Sequence, residues 1–301
     1  MNQRLVVGFL LVLSLTGCQS IWHRPTESMH VKQMKVSGID LAYVEEGSGT
    51  TVVFVHGASG DWRTWDGFRP YVSTNYRFVS LSRRYHYPNI WTDDGRSYTF
   101  DQQVEDVVEF IRMMNVGKVH LVGNSYGGRL VGVLALKHPE LLRSVVLGES
   151  SLVPPNSAEG HAAFGAYGKE LGGASAAVKS GDNRKAAILV ANAVLDNPEG
   201  FNKMSSIAQT RWLDNEKTMA PMFSGRPPAP VTCDHVKELK VPVLVVRGEK
   251  SRANFKYGHD ALMSCLPAGA DAVIVPNGTH FWATDNLDDA TRAVLSFLGK
   301  H

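Results

Sequence analysis

A serine stands between two glycines in the segment Gly123-Asn-Ser-Tyr-Gly127, at a spacing that suits nucleophilic catalysis. The apolar run Val119–Val122 precedes this segment, and a helical pattern beginning near Leu130 follows it. A serine at such a strand-to-helix turn projects its hydroxyl from a sharp, strained bend, and the flanking glycines let strand and helix approach closely. A serine hydroxyl is a weak nucleophile unless a neighbouring base takes its proton. Ser125 is therefore the predicted nucleophile.

His280 is the predicted base. The chain has 11 histidines, and His280 is the one that follows the last predicted strand in a loop before the final predicted helix. An imidazole placed there would accept the Ser125 proton and then protonate the leaving group. His86 also follows a predicted strand and could line a pocket, whereas His30, His161, His235 and His259 have no strand-end context.

Short apolar segments supply the strands that must position these side chains. Nearly continuous apolar runs of strand length are typical of strands buried on both faces of a parallel sheet. Such runs lie at Thr51–His56, Tyr76–Ser82, Val119–Val122, Ser144–Leu147, Val243–Val246 and Ala272–Val275. The segment Ile39–Val44 alternates instead and precedes a turn, which predicts a leading antiparallel hairpin.

Helical patterns alternate with these strands. Thr99 and Gln102 have the spacing of a capping box, and an apolar stripe at helical spacing follows them. Further helices are predicted at Leu130–Leu136, Ala186–Val194, Phe201–Leu213, Lys256–Leu266 and Asp285–Leu298. Strands that alternate with helices predict an α/β fold with a doubly wound, mostly parallel sheet.

Residues 151–232 interrupt the alternation. They lack long apolar strand runs and are rich in Gly, Ala, Pro and Ser. A structureless loop of this length is improbable in a compact domain. We therefore expect a mostly helical cap inserted after the sixth strand, between core segments at residues 34–150 and 233–301.

The chain from about residue 34 onward resembles the α/β-hydrolase family through three motifs. They are Val55-His-Gly-Ala58 after an early strand, the Ser125 turn, and Gly278-Thr-His-Phe281 after the last strand. The form Gly-Asn-Ser-x-Gly-Gly around Ser125 also resembles hydrolases that cleave carbon–carbon bonds in aromatic ring-fission products. The resemblance implies the α/β-hydrolase fold and chemistry that needs no cofactor and no metal.

The resemblance also implies roles for individual residues. Ser125 would be the nucleophile and His280 the base. The backbone N–H groups of Tyr126 and Ala58 would form the oxyanion hole, and His56 would hold the oxyanion loop.

The triad acid departs from the family's commonest pattern. After the seventh strand the family has Gly-x-x-Asp, whereas this chain has Gly248-Glu-Lys-Ser251. A serine cannot carry the charge that stabilises an imidazolium. Glu149, at the end of the sixth strand, is the preferred candidate, because haloalkane dehalogenases of this fold can place their acid at that strand end. Glu249 is the alternative, and a chain with no working acid is the third possibility.

The first residues resemble a bacterial lipoprotein signal peptide. Met1–Arg4 is positively charged, and the apolar run Leu5–Leu15 is too short to span a bilayer. Leu15-Thr-Gly-Cys18 has the form of a lipobox, so residues 1–17 would be removed and Cys18 lipidated. Because Gln19 is not aspartate, the resemblance implies an outer-membrane lipoprotein facing the periplasm, anchored through Cys18 and followed by a tether at residues 18–33.

The charge and the cysteine positions limit which binding partners and metal ions we expect. The formal net charge is +2 and no Lys/Arg block is present, so nucleic-acid binding is not expected. Cys233 and Cys265 could form a disulfide in an oxidising periplasm or remain two buried thiols. Neither lies near histidine or aspartate at metal-ligand spacing.

These features predict a serine hydrolase that cleaves a small carboxylic ester or related acyl compound. A carbon–carbon bond hydrolase of a diketone acid would use the same serine and histidine. A lipid-anchored binding protein without catalytic activity is the alternative from a different class, motivated by the missing aspartate.

Overall fold

The computed structural model describes residues 30–301. The predicted signal peptide at residues 1–17, the predicted lipidation site Cys18 and residues 19–29 of the predicted tether lie outside the described residues. Within residues 30–301, the search for an apolar helix of bilayer-spanning length finds none.

One eight-stranded sheet organises the described chain. The strands are β1 Lys32–Val36, β2 Ile39–Glu46, β3 Thr51–Val55, β4 Arg77–Leu81, β5 Val119–Asn124, β6 Leu142–Gly148, β7 Val243–Gly248 and β8 Asp271–Val275. All seven predicted strands are present. The hairpin of β1 and β2 pairs antiparallel, β2 pairs antiparallel with β4, and every pairing from β4 to β8 is parallel. The predicted α/β fold class is confirmed.

The strand order, β1-β2-β4-β3-β5-β6-β7-β8, reverses direction at β3. The chain leaves β3 toward β4 on one side and then returns to place β5 on the other side. The connections that follow β3 and β5 therefore run toward strands on opposite sides of this pair, β4 and β6. Such switch points are where open α/β sheets bind ligands.

β1 corrects the predicted tether. Lys32 and Gln33, assigned to the tether at residues 18–33, begin this edge strand, and Lys32 pairs with Tyr43. The strand is short and polar, and its side chains alternate between partly exposed and exposed until Val36. A charged edge strand of this kind protects a sheet from pairing with other chains, and it has little of the apolar pattern by which strands are recognised.

Twelve α-helices and three short 3₁₀ helices accompany the described strands. The α-helices are α1 Arg69–Val72, α2 Phe100–Met114, α3 Tyr126–Lys137, α4 Ala158–Lys179, α5 Asn183–Val194, α6 Gly200–Lys203, α7 Ser206–Leu213, α8 Met219–Ser224, α9 Cys233–Lys237, α10 Ala253–Cys265, α11 Trp282–Asp285 and α12 Leu287–Leu298. The 3₁₀ helices are Trp62–Trp65, Pro139–Leu141 and Glu216–Thr218.

Two helix predictions need correction. At the start of α2, Thr99 Oγ1 accepts from the Gln102 N–H at 3.1 Å, but the Gln102 side chain donates to Asp106, so only half of the capping box forms. The predicted helix at 201–213 is broken into α6 and α7, with Ser205 capping the start of α7.

Helices α4 to α8 form the helical insertion expected after the sixth strand. They lie between β6 and β7 in the chain and share a small apolar core of their own. Alanines dominate that core: it consists of Ala174, Ala177, Ala186, Ala187, Val190 and Met219.

A disulfide joins Cys233 to Cys265. It connects the first residue of α9, where the chain leaves the insertion, to the last residue of α10. The sequence left this pairing open, and the structure resolves it in favour of the disulfide.

Candidate active site

Ser125 occupies the turn between β5 and α3. Its backbone has φ 57° and ψ −123°, a left-handed conformation that a residue with a side chain adopts at a cost in free energy. The Ser125 N–H donates to the Gly148 carbonyl at 2.8 Å, which ties the turn to the neighbouring strand β6. The serine therefore stands on the strained bend predicted for it.

The two glycines of the turn are required by close backbone contacts. A Cβ on Gly123 would lie 2.5 Å from the Gly127 carbonyl oxygen, and one on Gly127 would lie 2.4 Å from the His56 carbonyl oxygen. Neither position can accept a larger residue without movement of the backbone. The second contact also shows that the start of α3 packs directly against the loop after β3.

His280 and Glu149 form a buried pair. The His280 Nδ1 atom lies 2.6 Å from Glu149 Oε2, and the two side chains are 3% and 0% exposed. A carboxylate at this distance fixes the tautomer in which Nδ1 carries the proton, so the Nε2 lone pair is available as a base. The Phe255 ring stacks on the imidazole at 4.1 Å and 24°, and this contact also fixes the ring orientation.

The second carboxylate oxygen of Glu149 is held from β7 and the loop after it. Glu149 Oε1 accepts from the Gly248 N–H at 2.8 Å and from the Ser251 hydroxyl. Ser251 stands at the position where the family's usual pattern has aspartate, and here it donates to the carboxylate supplied by β6. Together with His280, the serine hydroxyl and the backbone N–H hold the Glu149 carboxylate in place through hydrogen bonds.

Glu249 does not reach the histidine. Its side chain is exposed and its Oε2 atom accepts from the Asn277 N–H at 2.9 Å. Successive residues that leave a strand point to opposite sides, and Glu249 follows Gly248 on the side away from the pair. The alternative assignment of Glu249 as the acid is therefore corrected by the structure.

Ser125 and His280 lie at the same edge of the sheet but are not hydrogen-bonded to each other. The Asn124 side chain donates to the His280 carbonyl at 3.3 Å and accepts from Trp282 Nε1 at 2.7 Å, which connects the two loops. Within residues 30–301, neither Ser125 Oγ nor His280 Nε2 has a hydrogen-bond partner. Catalytic hydrogen bonds are often long without substrate and shorten when it binds.

The loop after β3 carries the first predicted oxyanion donor. Gly57 lies beside the nucleophile, because a Cβ on Gly57 would be 3.3 Å from Ser125 Cβ. The next residue, Ala58, and Tyr126 at the start of α3 both have backbone N–H groups without a hydrogen-bond partner among the described residues. The structure thus brings the loop of Ala58 and the residue after the nucleophile to one site.

His56 is a neutral structural residue. Its Nε2 atom accepts from the Arg83 N–H at 2.9 Å, so its Nδ1 carries the proton and donates to the Gly57 carbonyl at 2.8 Å. Burial, and then the positive charge of Arg83, hold the pKa of His56 well below its usual range. Both ring nitrogens are occupied, in agreement with the predicted role of holding the oxyanion loop.

Two neighbours of the site were missed from the sequence. Arg83 was not predicted as a site residue, yet its guanidinium is buried under the oxyanion loop. Ser251 was identified only as the residue that replaces the usual aspartate. The position of Arg83 two residues after β4, at the carboxyl edge of the sheet, was the available signal. His86 follows the same strand and is fully buried, with Nε2 3.1 Å from the Ala58 carbonyl oxygen.

A cavity of about 380 Å³ lies between the core and the insertion; Tyr126 lines it, whereas Ser125 and His280 do not. Core aromatic residues form one wall and the end of the insertion forms the other; lining residues include Tyr98, Phe100, Tyr126, Pro221, Met222 and Phe223. Its walls are suited to an apolar substituent. Within residues 30–301, the search for three or more His, Cys, Asp or Glu side chains arranged to hold a metal ion finds no such group.

Comparison with known proteins gives a match to the alpha/beta hydrolase family over residues 52–294. A 2-hydroxy-6-oxo-6-(2'-aminophenyl)hexa-2,4-dienoic acid hydrolase from Metapseudomonas resinovorans is 30% identical over 141 residues, which cover 42% of this chain and 46% of that protein. A 2-(acetamidomethylene)succinate hydrolase from Mesorhizobium japonicum is 24% identical, over 89% of this chain and 94% of the relative.

Among solved structures, a carboxylesterase from Bacillus subtilis superposes with a TM-score of 0.71 at 17% identity, covering 92% of this chain and 93% of that one. This similarity concerns the fold alone. The matches to the first two curated relatives span about a quarter and about half of those proteins' own lengths.

Proposed function

The chain belongs to the alpha/beta hydrolase family, and on that premise we propose that it is a serine hydrolase that cleaves a small carboxylic ester through an acyl-enzyme on Ser125. The observation that carries the proposal is the 2.6 Å pair of His280 and Glu149 beside a serine held in a strained turn. A nucleophile, a base and a carboxylate that orients the base are the three parts that acyl transfer requires.

In the proposed reaction, Ser125 Oγ attacks the ester carbonyl and His280 Nε2 takes its proton. The Ala58 and Tyr126 N–H groups would bind the oxyanion, and Glu149 would stabilise the imidazolium. His280 then protonates the departing alcohol, which leaves an acyl group on Ser125. A water molecule that gives its proton to His280 then attacks the acyl carbonyl; as the bond to Ser125 Oγ breaks, His280 returns the proton to that oxygen and the acid is released.

The size and lining of the cavity between core and insertion favour a substrate with a small, apolar acyl or alcohol group. It borders Tyr126, the residue next to the nucleophile, and its volume of about 380 Å³ lies at the small end of ligand pockets. We propose that the insertion, with predicted limits at residues 151–232, acts as a cap that covers the reacting carbonyl and excludes water.

Turnover of p-nitrophenyl butyrate tests the proposal. We expect Ser125→Ala to retain less than a tenth of the wild-type rate and to lose covalent labelling by a fluorophosphonate probe. Ser296→Ala is the control, because Ser296 is exposed on α12. Turnover by Ser125→Ala at the wild-type rate would refute the acyl-enzyme. Absence of both turnover and labelling in the wild type would favour the non-catalytic binding protein, an alternative that the Glu149–His280 pair makes less attractive.

Hydrolysis of a carbon–carbon bond in a diketone acid is the second candidate. It is favoured by the match to the Metapseudomonas resinovorans hydrolase, whose name states a dienoic acid substrate. The two candidates share Ser125 and His280 and differ in the substrate. The values of kcat/KM for p-nitrophenyl butyrate and for a 2-hydroxy-6-oxo-dienoic acid, measured on the same preparation, would decide between them.

We also propose that the enzyme is a lipoprotein anchored through Cys18 and facing the periplasm. The lipobox-like sequence before Cys18 supports this location, as does the Cys233–Cys265 disulfide, since disulfides persist in oxidising compartments. Expression in a Gram-negative host with labelled palmitate tests it. Incorporation of label into the wild type and not into Cys18→Ala is the expected result, and an unlabelled wild type would contradict it.

A further inference from the structure

Arg83 is a buried cation without a counterion. Its side chain follows β4 and is only 1% exposed, and within residues 30–301 no carboxylate lies within ion-pair distance of it. The guanidinium donates to the carbonyl oxygens of His56 at 3.2 Å and Gly57 at 2.8 Å, and to the Gln103 side chain. A buried charge is costly unless neighbouring groups compensate it, so its retention at this place calls for an explanation.

The next residue shows that a buried arginine in the same loop can have a counterion. Arg84 is buried to a similar degree but forms a two-point ion pair with Asp106, with distances of 2.7 Å from Nε and from Nη2. The chain can therefore supply an acid to a buried arginine after β4. Arg83 instead directs its N–H groups at neutral acceptors, two of which are backbone carbonyls of the oxyanion loop.

The contact with Gly57 bears on the reaction because of peptide geometry. The Gly57 carbonyl and the Ala58 N–H belong to one trans peptide unit and point in opposite directions. Arg83 Nη2 and His56 Nδ1 both donate to this carbonyl at 2.8 Å, so the peptide unit is held by two donors on its oxygen side. A positive charge at the oxygen also draws electron density from the N–H and makes it a stronger donor.

We propose that Arg83 is a positioning residue, which orients and polarises the Gly57–Ala58 peptide so that the Ala58 N–H stabilises the oxyanion. The proposal rests on the serine-hydrolase function proposed above. Arg83 also contacts the side chain of Tyr126, whose backbone N–H is the second candidate donor: its guanidinium carbon lies 4.6 Å from the centre of the Tyr126 ring.

The titratable side chains around Arg83 are neutral, so Arg83 carries the charge of this cluster alone. His86 Nε2 lies 3.0 Å from Arg83 Nη2, and burial followed by the charge of Arg83 lowers the pKa of His86 well below its usual range. His56 and His86 are both neutral near pH 7, so Arg83 is the one charged side chain of the cluster. Its N–H groups are engaged with the protein, and its effect on the substrate is therefore exerted through the loop.

Steady-state kinetics of Arg83→Met and Arg83→Lys test the proposal, with Arg84→Lys as the matched control. We expect Arg83→Met to lower kcat for p-nitrophenyl butyrate by about 100-fold, the effect of losing one oxyanion donor, while KM changes by less than about threefold. Arg83→Lys keeps the charge but not the fork of donors, and we expect a loss of about tenfold. Arg84→Lys should stay close to the wild-type rate.

A trifluoromethyl ketone gives a readout that a purely structural role would not affect, because it forms a tetrahedral oxyanion on Ser125. Its inhibition constant should rise across the Arg83 variants by the same factor as kcat/KM falls. If Arg83→Met does not fold, as judged by circular dichroism, Arg83→Lys decides. A folded Arg83 variant with wild-type kcat, or with unchanged ketone affinity, would overturn the proposal. The proposed function fails separately, through an active Ser125→Ala.

Discussion

At the scale of single residues, the candidate acid Glu149 reaches His280 from the end of β6, the strand preferred from the sequence, and is held from two directions. Glu149 leaves β6 with φ 40°, a backbone conformation that few residues with side chains adopt. Its carboxylate then meets Gly248 and Ser251 from β7 and its loop, and His280 from the loop after β8. Three hydrogen-bond donors, two from β7 and its loop and one from the loop after β8, leave the carboxylate little freedom to turn.

This arrangement predicts unequal effects for two glutamate substitutions. Glu149→Gln removes the charge that stabilises the imidazolium, and its amide can bind the wrong tautomer of His280, so we expect kcat to fall by about 10³- to 10⁴-fold. Glu249→Gln serves as the control because Glu249 is exposed and bonded to a loop N–H, and we expect less than a twofold change. Parallel kinetics with p-nitrophenyl butyrate measure both. A larger loss in Glu249→Gln would reverse the assignment.

Sequence reasoning identified the candidate residues that belong to a local motif. Ser125 and His280 could be predicted because their neighbours along the chain define a turn and a strand end. Arg83 could not, since its partners His56 and Gln103 come from other elements and no spacing along the chain relates them. Glu149 and Glu249 remained open because the backbone conformation after β6 decides which carboxylate turns inward.

At the scale of elements, α4 is the longest helix that the sequence patterns did not predict. Its 22 residues are dominated by glycine and alanine, so no apolar stripe of large side chains is present to indicate a helix. Gly165, Gly168 and Gly172 have open space where a Cβ would be, so packing does not require them. Each glycine weakens a helix by about 1 kcal/mol relative to alanine. The helix therefore depends on its contacts with the core.

Arg252 supplies the main charged contact between α4 and the core. Its guanidinium binds both carboxylate oxygens of Glu170 on α4, at 2.8 and 2.9 Å. It also donates to the Ala193 carbonyl of α5 at 2.5 Å. Arg252 directly follows Ser251, so the residue that anchors the insertion adjoins a residue that holds the candidate catalytic acid. We therefore expect movement of α4 to affect the order of the site through this short segment.

Glu170→Gln tests this coupling. Loss of the two-point ion pair should loosen α4 over the site, and we expect KM to rise by about three- to tenfold with kcat changed less than about twofold, because a partly exposed pair contributes only about 1 kcal/mol. Steady-state kinetics and hydrogen exchange of α4 amides measure the effect. Glu159→Gln, an exposed position on the same helix, is the control. Equal exchange rates in the two variants would contradict the anchoring role.

At the scale of the whole molecule, the Cys233–Cys265 disulfide closes a loop of 32 residues that spans β7 and α10. Closing a loop of this size restricts the unfolded chain, and we expect the double variant Cys233→Ser, Cys265→Ser to lose about 3 to 4 kcal/mol of unfolding free energy. Urea unfolding measures the change. Reduction of the wild type should lower its unfolding free energy by the same amount, whereas reduction should not change that of the double variant. If the double variant is as stable as the wild type, the disulfide has no stabilising role.

Buried neutral histidines make the stability of the molecule depend on pH. His120 on β5 is 2% exposed, and its Nδ1 lies 2.7 Å from the Ser144 hydroxyl. Burial first, and then the positive charges of Arg143 and His301, lower the pKa of His120 to about 4. The unfolded chain, with an ordinary histidine pKa near 6.5, binds the proton more readily than the folded one. The contribution of neutral His120 to the free energy of unfolding is therefore fully present above about pH 6.5 and declines as the pH falls toward 4.

His120→Asn removes this titration and keeps a polar partner for Ser144. In the wild type, unfolding free energy should fall between pH 7 and 4.5, and in His120→Asn that fall should be smaller by about 2 kcal/mol. Urea titrations at the two pH values measure the difference, with the exposed His161→Asn as the control. The variant is expected to be less stable than the wild type at pH 7, so the change with pH is the informative quantity. An unchanged pH dependence would mean that His120 is protonated in the folded protein and that its burial in the sheet is compensated by other groups.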